Sequence, residues 1–193
     1  MSTPKILLAG KKRSGKSLTA KYLKDKYPNS IELTFAEPLK QACKAMFLLS
    51  DEQLNDEKKK EEIDPRWNVT PRELFQRVGD LFREHLHPLL PNLKLEKGLI
   101  FTQNMFWRLK ELEEKNPPSL IIISDGRLPD EHAFVKNLPN SHSIRLLRDT
   151  GMTDQHKSEQ ILFNCDYTID NNGNIDDLKR QLDKISVGVN NSI

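Results

Sequence analysis

Apolar positions along this chain fall into two rhythms, short unbroken runs and stripes at helical spacing, and the two alternate from end to end. The run KILLA at 5–9 predicts a buried strand that ends on a glycine-rich stretch. Ala20, Leu23 and Tyr27 then recur at helical spacing until Pro28 stops them. Residues 31–36 alternate and are β-rich, which predicts a second strand. Pro38 opens a helix with Leu39, Ala42, Cys43 and Met46 on one face, because a first-turn proline lacks only an N–H that would be unpaired anyway.

The middle of the chain is less regular. Residues 50–68 are strongly charged and weakly periodic, the pattern of a mobile helical excursion or lid-like insertion rather than core. Thr70-Pro71-Arg72-Glu73 then starts a helix: Thr70 caps, Pro71 fits the first turn, and Glu73 completes a capping box. Behind it Leu74, Phe75, Val78, Leu81, Phe82 and Leu86 form one stripe, followed by a proline-containing loop and a helix over 104–115. Residues 119–124 hold a continuous apolar and mostly β-branched run, Leu120-Ile121-Ile122-Ile123, as in a strand covered on both faces. Pro129 starts another helix, 143–147 and 167–169 read as strands, and Asp170-Asn171-Asn172-Gly173 reads as a turn. Ile175, Leu178, Leu182 and Ile185 mark a last amphipathic helix. Strands alternating with helices predict an α/β fold with a five-stranded parallel sheet, its ligands at the carboxyl ends of the strands.

Composition narrows the classes. With 193 residues the chain suits one well-buried core, and its 30% of charged residues suits a soluble globular protein. A net charge of +2 without a basic block argues against a nucleic-acid partner, and Lys58-Lys59-Lys60 lies among acids as a solvated helical face. Cys43 and Cys165 are far apart with no Cys-His cluster around them, which predicts two free thiols in a reducing cytoplasm. His85 and His87 find no third ligand at metal spacing, so no zinc site is expected. The apolar run 120–123 is too short to span a bilayer, and the first residues do not read as a signal peptide.

Chemistry enters at residues 10–17. GKKRSGKS fits G-x-x-x-x-G-K-[ST], between an expected strand and an expected helix. In that context backbone N–H groups and a helix N-terminus converge on one anion, so Gly10, Lys12, Ser14, Gly15, Lys16, Ser17 and Leu18 are candidate phosphate-binding positions. Lys16 would bridge the terminal phosphates of a nucleoside triphosphate, and Ser17 would offer its hydroxyl to Mg²⁺. No Asn-Lys-x-Asp guanine motif and no ABC signature accompanies the loop, and the chain is short for a motor or helicase, which leaves a small kinase. Phosphoryl transfer between anions needs cations, and Arg13, Arg72, Arg127 and Arg148 stand at expected strand or loop ends. Asp125, at a strand's carboxyl end, would orient a water on Mg²⁺ or bind an acceptor hydroxyl; a turn or cap role is the alternative. Glu131 lies in a helix's first turn, where the dipole alone favours it.

On these residues the chain resembles the deoxynucleoside monophosphate kinases of bacteriophages and large DNA viruses. The likeness runs over roughly 5–185 apart from the charged insertion, through GKKRSGKS, FAEPLK at 35–40, TPRELFQRVG at 70–79, Phe106-Trp107, ISDGRLPDE at 123–131, HKSE and DYTIDNNG. It implies a P-loop fold with a helical substrate-binding insertion at 37–118 and a lid at 148–160 that closes to exclude water. It implies ATP and Mg²⁺ as cofactors and a deoxynucleoside 5′-monophosphate as acceptor. By motif, Lys40, Arg72 and Arg127 would grip the acceptor phosphate, Gly79, Asp80, Trp107, Asp125 and Glu131 would surround its base and sugar, and Arg13 and Lys16 would neutralise the transferring group. Cytoplasmic localisation follows, in the host's cytoplasm for a viral protein, with a homodimer left open. Two positions depart from the family: Ser17 stands where Asp is frequent, and Asp80 where Thr is common. Animal-type phosphomevalonate kinases share a similar loop, an S-D-x-R strand end and a related tail, and are the nearest rival. TPRELFQRVG and Phe106-Trp107 favour the nucleotide reading. A non-catalytic nucleotide-binding module would keep the loop but have no use for Arg72, Asp125 and Arg127 as a group.

Overall fold

The expected strands become β1 (Lys5–Ala9), β2 (Ile31–Leu33), β3 (Ile121–Gly126), β4 (Ser141–Leu147) and β5 (Tyr167–Asp170) in a computed structural model that describes residues 2–90, 92, 94–149, 151 and 163–185. They form one parallel sheet in the order β2-β3-β1-β4-β5. The helices are α1 (Lys16–Lys26), α2 (Glu37–Phe47), α3 (Asp51–Asn55), α4 (Pro71–Leu89), α5 (Ile100–Lys115), α6 (Pro129–Lys136) and α7 (Ile175–Asp183). Contacts divide the chain into a sheet unit, Met1–Phe35 with Met105–Ile193, and a helical unit, Ala36–Asn104.

In the sheet unit β1 is the central strand, and all five of its residues are buried. Ile6 and Leu8 pack with Ala20 and Leu23 of α1 and Leu178 and Leu182 of α7, while Leu7, Ile121 and Ile123 are fully buried as well. Burial of successive residues explains why these strands read as unbroken apolar runs. Lys5 is 1% exposed, and its ammonium is satisfied by Glu113 at 2.7 Å and the Thr3 carbonyl at 2.9 Å, as a buried charge requires.

The element ends differ from the sequence pattern for local reasons. β2 stops at Leu33 rather than 36 because the Phe35 N–H donates to the Asp125 carboxylate (2.8 Å) instead of to a strand. β3 extends through Asp125 to Gly126, and α5 begins at Ile100 rather than 104.

The helical unit contains the larger surprise. Residues 50–68 are helical in part, as expected, but they carry core of their own: Leu54 and Asp64 are buried there. Ser50 and Gln53 form a capping box on α3, a 3₁₀ turn follows at Lys59–Glu61, and Asp64 bridges to Val69. The Asp64 carboxylate accepts from the Arg66 guanidinium at 2.6 and 3.0 Å and from the Gln53 amide at 2.9 Å. These partners, Arg66 first, hold its carboxyl well below the usual carboxylate range. The segment is organised around a paired carboxylate, which hydrophobic periodicity does not reveal.

At the start of α4 the Thr70 hydroxyl accepts the Glu73 N–H at 3.1 Å, one half of the expected capping box, while the Glu73 carboxylate lies 3.7 Å from Arg77. Of the apolar stripe expected on α2, Leu39 and Cys43 are buried but Met46 is 69% exposed; Leu81 of α4 is 52% exposed. Beyond Gly151 the lid expected at 148–160 lies outside the described residues. No helix among the described residues is long and apolar enough to cross a membrane.

His132 of α6 is buried and stacks on Phe163 (centroids 4.4 Å apart), with its Nε2 3.4 Å from the Ser143 hydroxyl. Burial, then the Lys136 charge, pushes its pKa down, against a smaller upward pull from Asp166. A folded-state value below the unfolded one leaves stability complete above about pH 6.5 and lost as pH falls through the folded value. Melting temperature is therefore expected to drop between about pH 7 and pH 5. His132→Phe should flatten that drop in thermal melts across the same range, and an unchanged slope would contradict it.

Candidate functional site

The loop from β1 to α1 is built around two glycines whose hydrogens are needed. Gly10 has φ +154°, and a Cβ there would stand 2.4 Å from the Ser14 hydroxyl and 2.8 Å from the Leu146 carbonyl. Gly15 has φ +105° and caps α1, and a Cβ there would meet the Asn171 amide nitrogen at 2.2 Å. Between them Arg13 adopts a left-handed conformation (φ 62°) with an exposed side chain, and the Ser14 N–H donates to the Lys11 carbonyl at 3.1 Å.

The loop curls around its own lysine. Lys16, the first residue of α1, directs its ammonium to the Gly10 and Lys11 carbonyls at 2.5 and 2.8 Å. The N-terminus of α1 has no side-chain cap and no acidic residue in its first turn, so its N–H groups and dipole suit an external anion. The Ser14 hydroxyl is buried without a hydrogen-bond partner among the described residues. Lys12 is half-buried in the loop, and Ser17 and Leu18 lie exposed on the first turn of α1.

Parallel register sets Ala9 beside Gly126 and beside Arg145, so β1, β3 and β4 end along one edge of the sheet. The expected residues Arg13, Asp125, Arg127 and Arg148 all fall at that edge, with Arg148 exposed and Asp125 and Arg127 half-buried. Asp125 ties the end of β2 through the Phe35 N–H. Glu131 is 4% exposed, and its carboxylate accepts the Arg127 and Leu128 N–H groups at 3.0 and 3.1 Å. It thereby caps α6 and fixes the bend that carries Arg127. Trp107 of α5 is 56% exposed, edge-on to Phe106 with ring centroids 5.2 Å apart, and the Lys110 ammonium sits 5.4 Å from its centroid.

Lys40, Arg72, Gly79 and Asp80 belong to the helical unit. Arg72 pairs with Glu61 at 2.6 Å and Glu57 at 3.0 Å. Gly79 is buried in α4, where a Cβ would stand 3.2 Å from the Leu39 side chain, so its smallness serves the packing of α4 on α2.

Sequence reasoning missed Asn171. It is 4% exposed, and its amide donates to the Ser14 carbonyl at 2.8 Å. It lies in DNNG, which reads as an ordinary turn, and in the segment DYTIDNNG, whose resemblance assigns it no role. No group of three His, Cys, Asp or Glu among the described residues is arranged to hold a metal ion. The expected donors, one hydroxyl from Ser17 and a water-mediated carboxylate from Asp125, suit a Mg²⁺ that keeps most of its waters and is carried by phosphates.

No protein-family model matches the chain. Over 184 residues, covering 92% of this chain and 93% of the relative, it is 39% identical to a protein of Acanthamoeba polyphaga mimivirus named "Putative deoxynucleotide monophosphate kinase".

The contacts at Gly15 give a direct expectation. Gly15→Ala combines a left-handed backbone with a collision at Asn171, and should destabilise the fold by about 1–3 kcal/mol. Urea unfolding measures this, and a change under about 0.5 kcal/mol would contradict the packing described.

Proposed function

The chain belongs to the deoxynucleotide monophosphate kinase family, and on that premise we propose that it transfers the γ-phosphoryl group of ATP to a deoxynucleoside 5′-monophosphate. The products are ADP and the deoxynucleoside diphosphate. The observation that supports this most strongly is the glycine loop: a helix N-terminus without a side-chain cap, two glycines with no room for a Cβ, and a lysine ammonium folded over the loop.

The acceptor's attacking atom is a phosphate oxygen, already ionised near neutral pH, so the reaction needs charge stabilisation and alignment rather than a general base. Lys16 leaves its two loop carbonyls for the donor's terminal phosphates, and the backbone N–H groups that open α1 bind the same phosphates. Arg13, Arg127 and Arg148 serve the charge that spreads over the equatorial oxygens in transfer. Ser17, and Asp125 through water, would hold Mg²⁺, which when bound neutralises the β- and γ-phosphate oxygens. Asp125 and Glu131 also have positioning work, Asp125 at Phe35 and Glu131 at the backbone of Arg127.

In the helical unit Lys40 and Arg72 are the cations for the acceptor phosphate. Arg72's partners Glu57 and Glu61 are about half exposed, and such pairs contribute only about 0–1 kcal/mol each, so a dianionic phosphate can displace them. Asp80 and Trp107 are assigned to the sugar and base, with Gly79 keeping the helix that carries Asp80 close to α2. A single kinase domain with a helical acceptor-binding insertion and a lid at 148–160 belongs to the same reading.

Two substitutions test it. Lys16→Ala should abolish ADP formation in a coupled assay while leaving the circular-dichroism spectrum and melting cooperativity intact; wild-type turnover in this variant would sink the proposal. Arg72→Ala should raise KM for the monophosphate roughly 10- to 100-fold, the scale of a lost charge-assisted contact, with KM for ATP unchanged. A rise in the ATP KM instead would assign Arg72 to the donor.

A further inference from the structure

We propose that Asn171, in the turn after β5, is a positioning residue for the ATP phosphates, acting through the Ser14–Gly15 peptide. The proposal rests on the reading of the glycine loop as the ATP site. Asn171 is held at both ends: its backbone N–H donates to the carbonyl of Leu147, the last residue of β4, at 2.8 Å, and its side-chain amide donates to the Ser14 carbonyl at 2.8 Å. The side chain is 4% exposed and occupies the space that only a glycine at 15 leaves open, since a Cβ there would lie 2.2 Å from its nitrogen.

The Ser14–Gly15 bond is trans, as are all the described peptides, so the Gly15 N–H points opposite to the Ser14 carbonyl and away from Asn171. Holding the carbonyl therefore aims a donor at the other side of the loop. That aim needs a cause, because Gly15 reaches left- and right-handed conformations with equal ease and the peptide before it is free to rotate. Rotated, it would turn a carbonyl oxygen toward an anionic ligand in place of an N–H. The interaction that prevents this is the Asn171 amide. The side-chain Oδ1 of the neighbouring Asn172 accepts the Asp149 N–H at 2.8 Å, so the turn is also fastened to the chain leaving β4.

The test uses Asn171→Asp, which is isosteric but turns the donor into an acceptor, and Asn171→Ser, which is neutral and too short to reach. ATP binding is measured by calorimetry for the wild type, both variants and Lys16→Ala, with KM values for ATP and for a monophosphate, and thermal melts. Both Asn171 variants are expected to bind ATP roughly 10-fold more weakly and to show a matching rise in KM for ATP, the scale of one lost buried hydrogen bond. KM for the monophosphate should stay as in the wild type, and both variants should still melt cooperatively, at a somewhat lower temperature because the buried Ser14 carbonyl loses its donor. If Lys16→Ala loses ATP while either Asn171 variant binds it as the wild type does, the positioning role is overturned and the donor reading survives. If Lys16→Ala binds ATP normally, the donor reading fails and this proposal with it. Equal rises in both KM values, or failure of both variants to fold, would make Asn171 a residue of the fold and overturn the proposal too.

Discussion

Between Ala9 and Lys16 the backbone passes from the central strand of the sheet into α1 through a turn that leaves no volume for side chains at Gly10 and Gly15, and whose carbonyls at Gly10 and Lys11 draw in the Lys16 ammonium. Both neighbours of that turn are fixed by the sheet. Leu146 of β4 closes on Gly10, and Asn171, just past β5, closes on Gly15. Parallel pairing is what delivers them, because strands running the same way put all their carboxyl ends at one edge. Strands β1, β3 and β4 therefore do more than fill a core. They hold residues distant in the chain against a loop whose conformation depends on them.

How much of this could be read beforehand depends on the kind of signal involved. β1 and the helix starts at Thr70 and Pro129 lie where the residues predict them, since unbroken apolar runs and capping residues are local signals with one physical meaning. The loop was legible because its glycines and lysine have a fixed spacing. Asn171 was not, because its importance lies in a contact with Ser14 across most of the chain, while its neighbours spell an ordinary turn. Residues 50–68 are helical in part, as their pattern predicts, but their burial is not legible for a related reason: their organising group is Asp64, paired with Arg66 and Gln53, and a pattern of apolar positions is silent about a buried carboxylate. Glu131 is instructive in the other direction. Its first-turn position suggests a dipole role, and it caps the backbone beside Arg127, a structural task next to a residue proposed for catalysis.

The cations proposed for catalysis are satisfied by different means. Lys16 rests on carbonyls of its own loop, and Arg72 on two carboxylates of its own unit. Each arrangement satisfies the charge with partners that a phosphate can replace. Trp107, by contrast, keeps a large apolar face exposed beside Lys110, a combination suited to a planar, electron-rich ligand.

The central claim is that a loop built for a triphosphate serves a nucleotide acceptor. It is tested most directly by following ADP formation from ATP and Mg²⁺ with each deoxynucleoside monophosphate, each ribonucleoside monophosphate and phosphomevalonate offered in turn. The account predicts ADP release that depends on at least one deoxynucleoside monophosphate, with formation of its diphosphate in equal amount. ADP release with phosphomevalonate alone, or at the same rate whether or not any acceptor is present, would contradict it.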